Sequence, residues 1–377
     1  MAGERRARPR AAAIASWPRR ARMFPYVRSA RESNAARHVR WHRARLALTL
    51  GAFGLAAGCG GEGDGEPVRI HVPPGSVFAQ VADSLEQRDI VDWAPLFRIY
   101  ARMTGAAGDI KPGTYAFRPG TGWAQVLEDL RAGRVLTDRM VIPEGFDLRD
   151  IAPRVAELTG HAPDSVLNQL ADSATANAFG VPGPTLEGYL YPATYTFPVD
   201  PPLDTVIAEL VETYRRIWTP ERRARADAIG MSEREIVTLA SIIEKEARRT
   251  DEMPVISSVF HNRLRIGLPL QADPTVQYAL GVHRERLLYA AIDSAADNPY
   301  NTYRHPGLPP GPIASPSVRA IDAALAPDTT DYLYFVARPD GSHIFTRSLD
   351  EHNRAKAAIR RERQNGGGST AGRSGGS

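Results

Sequence analysis

The sequence predicts an α+β protein in which a small α/β module precedes a larger mixed α/β domain. Three observations carry this prediction. Short extended segments run into Pro and Gly and then into helices, amphipathic helices fill the middle of the chain, and a β-hairpin pattern stands near its end. A chain of 377 residues has room for two or three domains of roughly 100–200 residues each.

The first element is a predicted leader, residues 1–59. The run from Leu46 to Gly58 carries no charge. It is shorter than the roughly 20 apolar residues of a spanning helix, and it matches the apolar region of a signal peptide. Small residues stand directly before Cys59, a pattern that resembles a bacterial lipobox, so we expect Cys59 to carry a lipid anchor. The alternatives are an incidental cysteine beside a plain signal peptide, or a short membrane segment.

The positive charge of the chain is concentrated in this leader. Residues 1–45 hold thirteen Arg and two Glu, which leaves 34 basic and 41 acidic residues elsewhere. A folded part with excess negative charge argues against a nucleic-acid partner. One Cys excludes a disulfide scaffold, and His261, His305 and His343 lack the spacing of metal ligands. We therefore expect neither a metal nor a cofactor.

The Gly-rich residues 60–67 are predicted to be a flexible linker, and residues 68–135 a small α/β module. Extended residues, Pro/Gly and a helix pattern follow one another twice in the module and again at 142–152. Pro ends the strand, Gly allows the turn, and Ser, Thr or Asp can cap the helix. The module resembles a LysM-like carbohydrate-binding domain. A role as a structural spacer and a role in binding glycans both fit this pattern.

The larger domain is predicted over residues 136–362. Its expected elements are polar helices over 146–180, an aromatic non-helical segment at 186–198, one long helix over 202–228, a helix that starts at a Ser232–Glu235 capping box, a hairpin over 332–345 and a last helix capped by Ser348. A disordered tail is predicted after the domain, over 363–377. The aromatic segment fits both the lining of a sugar groove and a core strand with its loop.

The helix that follows Ser232 supplies the main catalytic candidate. At 100° per residue, Ile236, Leu239 and Ile243 share one face, and Glu246 falls on the same apolar arc. A carboxyl beside an apolar stripe is partly desolvated, which raises its pKa and suits a general acid. The alternative is an exposed helix end whose Glu244-Lys-Glu246 sequence is simply solvated.

Two further segments follow this helix. Residues 254–278 predict a helix, a polar loop and another helix. Residues 298–316 are rich in Asn, Tyr, Thr and Pro, and they predict a long loop whose polar groups suit sugar hydroxyls and amides.

Five segments in order resemble the YceG-like endolytic murein transglycosylases. They are Leu-Glu-Gly-Tyr-Leu-Tyr-Pro-Ala-Thr-Tyr at 186–195, Leu-Ala-Ser-Ile-Ile-Glu-Lys-Glu at 239–246, residues 259–278 with Asn-Arg-Leu and Gln-x-Asp-Pro-Thr, Tyr-Asn-Thr-Tyr with Gly-Leu-Pro-Pro-Gly-Pro-Ile at 300–313, and Tyr-Leu-Tyr-Phe-Val-Ala at 332–337. The similarity runs from about residue 68 to residue 354. The chain departs from the family in its lipobox, where a membrane-spanning helix is usual, and in Ala-Ser-Pro-Ser at 314–317.

The resemblance implies an enzyme that cleaves peptidoglycan glycan strands without water and leaves 1,6-anhydro-N-acetylmuramyl ends. It implies Glu246 as the catalytic acid and peptidoglycan synthases as further partners, while the predicted leader with Cys59 indicates a location outside the cytoplasm at a membrane. We expect eight other residues to bind sugar or to support the acid: Glu244, Asp273, Gln271, Asn301, Tyr303, Asn262, Tyr189 and Glu187. The alternatives are a muramidase-type hydrolase that uses Glu246 with Asp273, and a non-catalytic peptidoglycan-binding lipoprotein.

Overall fold

The structure is a computed structural model, and it describes residues 63–282 and 287–367. The predicted leader with Cys59, the first part of the predicted linker and residues 368–377 of the predicted tail lie outside these ranges. Within the described ranges, no helix has both the length and the apolar character needed to cross a membrane.

The N-terminal elements surround a hydrophobic cluster of their own. They are β1 (Val68–Val72), α1 (Phe78–Gln87), α2 (Ala94–Met103), β2 (Gly113–Phe117) and α3 (Trp123–Ala132). The strands pair antiparallel, with Val68 opposite Phe117. Leu85, Phe97 and Tyr115 are fully buried in this cluster because each faces inward from an amphipathic element. The residues predicted to be a small α/β module therefore contain both element types and a core.

The repeated strand, turn and helix pattern is present at all three predicted places. Gly75, Gly120 and Gly145 have φ angles of 77°, 77° and 76°, a left-handed conformation that favours glycine. The helix caps differ from the expectation. Only Asp147 caps its helix, in a capping box, whereas Ser76 and Thr121 donate to the carbonyls of residues 73 and 118 within their own turns.

The remaining elements make up the larger part of the chain. They are β3 (Thr137–Val141), α4 (Leu148–Thr159), α5 (Pro163–Leu170), α6 (Ser173–Ala178), β4 (Thr194–Pro198), α7 (Leu203–Ile217), α8 (Pro220–Ile229), α9 (Glu233–Glu246), α10 (Met253–Arg265), α11 (Asp273–Leu280), α12 (Tyr289–Ser294), α13 (Val318–Leu325), β5 (Tyr334–Ala337), β6 (His343–Thr346) and α14 (Leu349–Gly367). The pairs β3–β4 and β5–β6 are antiparallel. This mixture of helices and small sheets confirms the predicted α+β class.

Helix α9 lies at the centre of this larger part. The Ser232–Glu235 capping box is present as predicted. Ile236, Leu239 and Ile243 are fully buried, and so are the residues between them, because α10, α11 and α13 all pack on α9. Helix α9 is therefore buried along most of its length and ends at Glu246.

The predicted single helix over 202–228 is wrong, because the structure breaks it into α7 and α8. Proline at position 220 lacks an N–H and disfavours helical backbone in the residue before it, so the chain turns at Trp218 and Thr219.

Near the C-terminus, α14 continues to Gly367, past residue 363 where the tail was expected to begin. The run Arg-Glu-Arg-Gln favours helix and explains the extension.

The aromatic segment at 186–198 belongs mainly to the core. Tyr189, Tyr195 and Phe197 are buried, and the ring of Tyr189 packs edge-on against Tyr214 with 5.1 Å between centroids. Of the two interpretations left open by the sequence, the core strand with its loop describes these three rings.

Candidate active site

Glu246 is the last residue of α9, at the point where the backbone becomes extended at Ala247. The residue is only partly exposed, and protein atoms crowd its carboxyl. Loss of solvation, reinforced by the negative charge of Asp273, raises the pKa of Glu246 to about 8. The carboxyl is therefore mostly protonated at neutral pH while a part of the residue remains open to solvent.

Asp273 approaches Glu246 from the start of α11. Its backbone N–H is a hydrogen-bond partner of the Glu246 carboxyl and partly offsets the rise in pKa. Its side chain is exposed and accepts a hydrogen bond of 2.5 Å from the Tyr303 hydroxyl. Burial and this bond to Asp273 raise the pKa of Tyr303, so its hydroxyl keeps its proton. The structure thus brings three of the sequence-predicted residues together.

Arg263 on α10 is a buried cation near Glu246, and its charge partly counters the rise in the Glu246 pKa. It donates to the carbonyls of Pro269 and Leu270 at 3.0 and 2.9 Å, and to that of Leu333 at 2.6 Å. A longer bond of 3.4 Å reaches Oε1 of Gln271. Arg263 therefore fixes the segment that leads from α10 to Asp273.

Gln271 has a left-handed backbone, with φ of 50°, although it is not a glycine. Its N–H donates to the Thr302 carbonyl at 3.1 Å, and the Thr302 hydroxyl accepts from the Ala272 N–H at 3.0 Å and bonds the Thr275 hydroxyl at 2.8 Å. These bonds hold Gln271 in an unfavourable conformation two residues before Asp273. The Gln271 residue is exposed, so it is available to a substrate.

The two predicted asparagines are buried and bond backbone groups. The Asn301 amide donates to two carbonyls of the α12 region, and its oxygen accepts from the Tyr303 N–H at 3.1 Å. The Asn262 amide donates to the carbonyls of Thr330 and Tyr332 at 2.9 and 3.0 Å. Asn301 thus shapes the loop that presents Tyr303, while Asn262 ties α10 to the segment before β5.

Glu244 points away from Glu246 and toward α13. Its carboxylate accepts from the backbone N–H and the hydroxyl of Ser317 at 3.0 and 2.5 Å. Ser317 in turn caps α13. Lys245 donates to the Gly145 carbonyl at 3.1 Å. The Glu-Lys-Glu sequence is therefore not simply a solvated tip, because its first two side chains bind neighbouring segments.

Glu187 is almost fully buried, with 2% of its surface exposed. One of its oxygens accepts from the Leu148 N–H and the Tyr278 hydroxyl, both at 3.2 Å. Burial, together with the charge of Asp147, raises the pKa of Glu187 to about 8. Glu187 thus links the start of α4 to α11, the helix that begins at Asp273.

Tyr189 is enclosed in the core, where its ring has no free face for a sugar. This position does not fit the expected sugar binding, and the expected support of the acid by Tyr189 stays a prediction.

The site combines one neutral carboxyl with a neighbouring carboxylate, a tyrosine hydroxyl and an exposed amide. Such a set can donate a proton to an ether oxygen and take one back. Within residues 63–282 and 287–367, the acidic, Cys and His side chains form no group of three or more that would suit a metal ion.

Sequence reasoning missed Arg263 and Thr302 as members of the site. Both stand inside segments that the sequence singled out, but no spacing rule marks a buried arginine as the residue that fixes a loop. A cation in the middle of the apolar α10 pattern was the available signal for Arg263.

Comparison with known proteins gives a consistent result. The family model described as the YceG-like family matches residues 70–358. A Bacillus subtilis protein named endolytic murein transglycosylase is 36% identical over 306 residues, which cover 77% of this chain and 84% of the relative. A Streptococcus pneumoniae serotype 2 (strain D39) protein of the same name is 29% identical over 76% of this chain, which spans 57% of that relative. A crystal structure of a YceG-like protein from Listeria monocytogenes aligns with a TM-score of 0.53 at 34% identity, over 77% of this chain and 99% of that one.

Proposed function

The chain belongs to the YceG-like family, and from this premise we propose that Glu246 is the general acid of an endolytic murein transglycosylase. The enzyme is a lyase that acts on the glycan strands of peptidoglycan. The observation that carries the assignment of the acid is the raised pKa of a partly exposed carboxyl at the end of a buried helix.

In the first step, protonated Glu246 donates its proton to the glycosidic oxygen between muramic acid and the next glucosamine. The bond from that oxygen to C1 of the muramyl residue breaks, and the glucosamine leaves as an alcohol. A pKa of about 8 keeps the proton available at neutral pH without making its transfer too costly. The exposed part of Glu246 gives the strand access to this proton.

In the second step, the Glu246 carboxylate accepts the proton of the muramyl 6-hydroxyl while that oxygen attacks C1. The product is a 1,6-anhydro ring, and Glu246 returns to its protonated state without consuming water. One carboxyl thus serves both steps because the direction of proton transfer reverses between them.

Asp273 and Tyr303 support this cycle in two ways. The negative charge of Asp273 favours the protonated form of Glu246, and it disfavours a second negative charge before the substrate has accepted the proton. The bond from the Tyr303 hydroxyl holds the Asp273 side chain in place. Exposed Gln271 is suited to bind a sugar hydroxyl or acetamido group.

The test is a digest of purified peptidoglycan with the full-length protein in detergent, followed by separation of the muropeptides. Wild type should release anhydro-muramyl products, and Glu246→Gln should lower the rate by about a hundredfold or more because the amide cannot donate the required proton. Glu157→Gln removes an exposed carboxyl of α4 and is the matched control, which should retain full activity.

The products also test the two alternatives. Reducing ends in place of anhydro ends would identify a muramidase-type hydrolase that uses Asp273 with Glu246. Equal binding of sacculi by wild type and Glu246→Gln, with no release by either, would favour a binding protein.

A murein transglycosylase acts on the cell wall, so the enzyme is extracytoplasmic. We further propose that residues 68–135 form a LysM-like module and residues 136–362 the catalytic domain.

We also propose that Cys59 is lipidated and anchors the chain to a membrane. The anchor would hold the enzyme next to peptidoglycan synthases, where it would terminate nascent strands. Globomycin-sensitive processing, lost in Cys59→Ser, would support the lipid anchor.

A further inference from the structure

Helix α2 has an apolar face toward solvent as well as toward the core. Phe97 is fully buried on its inner side. On its outer side, Leu96, Ile99 and Met103 are 42%, 51% and 83% exposed. They recur at the spacing of helical turns and therefore form one continuous stripe along the helix. A helix that is apolar on both sides is ordinarily covered on both sides.

Trp93 extends this stripe at the N-terminal end of α2. It is 66% exposed, and its backbone is left-handed, with φ of 60°. For a bulky residue this conformation is unfavourable, and Trp93 makes no side-chain cap on the helix that would account for it. The surrounding fold thus holds a large aromatic residue outward beside three other apolar residues.

The described part of the predicted linker, from Gly63 onward, lies against a turn that bonds the loop before α2. Gly63 lies so close to the turn at 118–121 that a Cβ would overlap the Pro119 carbonyl, and Arg118 donates to the Gly65 carbonyl. In that turn, the Gly120 N–H donates at 3.2 Å to the carbonyl of Asp89, which precedes Trp93 by four residues. The turn at 118–121 therefore connects the linker to the loop that leads into Trp93.

The distance from Gly63 back to the proposed anchor is short. Three residues stand between it and Cys59, and the four Cα-to-Cα steps span at most about 14 Å when fully extended. A lipid on Cys59, or the uncharged run at 46–58, would therefore hold the Trp93 end of α2 within reach of the membrane surface.

We propose that Trp93 and the outer stripe of α2 dock on the lipid surface, with the four apolar side chains at the level of the headgroups. Trp is suited to this depth because its ring is apolar and its N–H is polar. Exposed Arg102 lies beside the stripe and complements anionic headgroups, whereas Arg98 is paired with Asp83 at 3.1 Å. This inference rests on the membrane attachment included in the proposed function.

The test uses the full-length protein in vesicles of phosphatidylethanolamine and phosphatidylglycerol, with and without brominated acyl chains that quench tryptophan emission. The difference between wild type and Trp93→Phe isolates the emission of Trp93. Docking should lower that emission by about twofold or more in brominated vesicles, since an interfacial helix inserts its apolar side chains near the acyl boundary.

A triple variant with Leu96→Gln, Ile99→Gln and Met103→Gln should lose this quenching. All three positions are exposed, so the fold should be retained, which the unfolding midpoint will verify. Ile266→Gln, at a 58% exposed apolar position outside the module, is the matched control and should leave the quenching unchanged.

Three outcomes would overturn docking. The first two are vesicle-bound protein whose Trp93 stays unquenched, and quenching that survives the triple variant. The third, failure to co-sediment with vesicles, would also refute the proposed attachment. Release of anhydro-muropeptides from sacculi by the same samples reports separately on the enzyme, so loss of docking and loss of catalytic function are distinguishable.

Discussion

At the scale of single residues, Glu246 and Glu187 are both mostly protonated near pH 7, but their surroundings give them different roles. Glu246 keeps access to solvent and stands beside a second carboxylate, whereas Glu187 is enclosed and binds two donors. Burial raises the pKa of both, so a raised pKa alone does not identify the acid. The exposure of Glu246 and the position of Asp273 distinguish the catalytic candidate from the structural one.

The pH dependence of the reaction should follow Glu246. Because the acid must begin protonated, kcat/KM should fall as pH rises through about 8. Asp273→Asn removes a negative charge that raises this pKa, so the fall should begin at a lower pH, shifted by about one unit. Rates of anhydro-muropeptide release between pH 5 and 10 provide the measurement. Asp227→Asn, an exposed substitution on α8, should leave the profile in place, and an unshifted profile in Asp273→Asn would contradict this coupling.

Glu187 should tolerate replacement by glutamine but not by alanine. A pKa of about 8 means that the neutral form prevails at pH 7, and the neutral amide can accept the same bonds from Leu148 and Tyr278. Alanine leaves the buried Leu148 N–H unpaired, which costs about 1–3 kcal/mol. Urea unfolding at pH 7 would measure both variants, and an equal loss of stability in the two would show that the carboxylate form matters.

At the scale of elements, α9 fixes the position of Glu246 through the segments packed around it. The buried loop at 311–317 crosses α9, where the Ile313 N–H donates to the Ser241 hydroxyl at 3.0 Å. Gly188 allows the segment before β4 to approach this loop, because a Cβ at that position would overlap the Pro312 ring. The close approach of two segments thus depends on one residue without a side chain.

Gly188→Ala should destabilise the protein by about 2–4 kcal/mol through this overlap and a left-handed φ of 81°. Gly307→Ala is the matched control. Its φ is 89°, but no atom lies within 4 Å of the added Cβ, so it should cost only about 1 kcal/mol. Urea titration of both variants measures the difference, and equal losses would mean that the Pro312 contact yields without cost.

Local signals in the sequence predicted the elements that depend on a few adjacent residues. The Ser232–Glu235 capping box, the Gly145 turn and the β5–β6 hairpin each follow from turn or cap chemistry within the segment itself. The break at Thr219 also has a local signal, because Pro220 stands between α7 and the rest of α8, and the prediction of one helix over 202–228 is wrong at that residue. The burial of Tyr189 has no local signal, because long-range packing decides whether an aromatic residue is buried.

At the scale of the whole molecule, the two neutral carboxyls connect catalysis with stability. A carboxyl whose pKa is higher in the folded state than in the unfolded state binds its proton more tightly when folded. Its contribution is fully present below pH about 4.5, the usual value for glutamate, and is lost as pH rises through about 8. The environment that keeps Glu246 protonated at neutral pH therefore lowers the free energy of unfolding at alkaline pH, where Glu246 must ionise.

Ionisation of these two carboxyls should lower the free energy of unfolding between pH 5 and 9, by about 1.4 kcal/mol for each unit by which a carboxyl's pKa differs between the folded and unfolded states. Glu246→Gln removes one of these two carboxyls, so this variant should lose less stability over that interval than wild type and should be the more stable protein at pH 9. The measurement is urea unfolding at pH 5, 7 and 9, with Glu157→Gln as the control for loss of an exposed carboxyl. Identical pH dependence in wild type and Glu246→Gln would mean that Glu246 ionises in the folded protein as it does in the unfolded chain. The environment of the carboxyl would then not hold its proton, and Glu246 would be unsuited to act as the first proton donor.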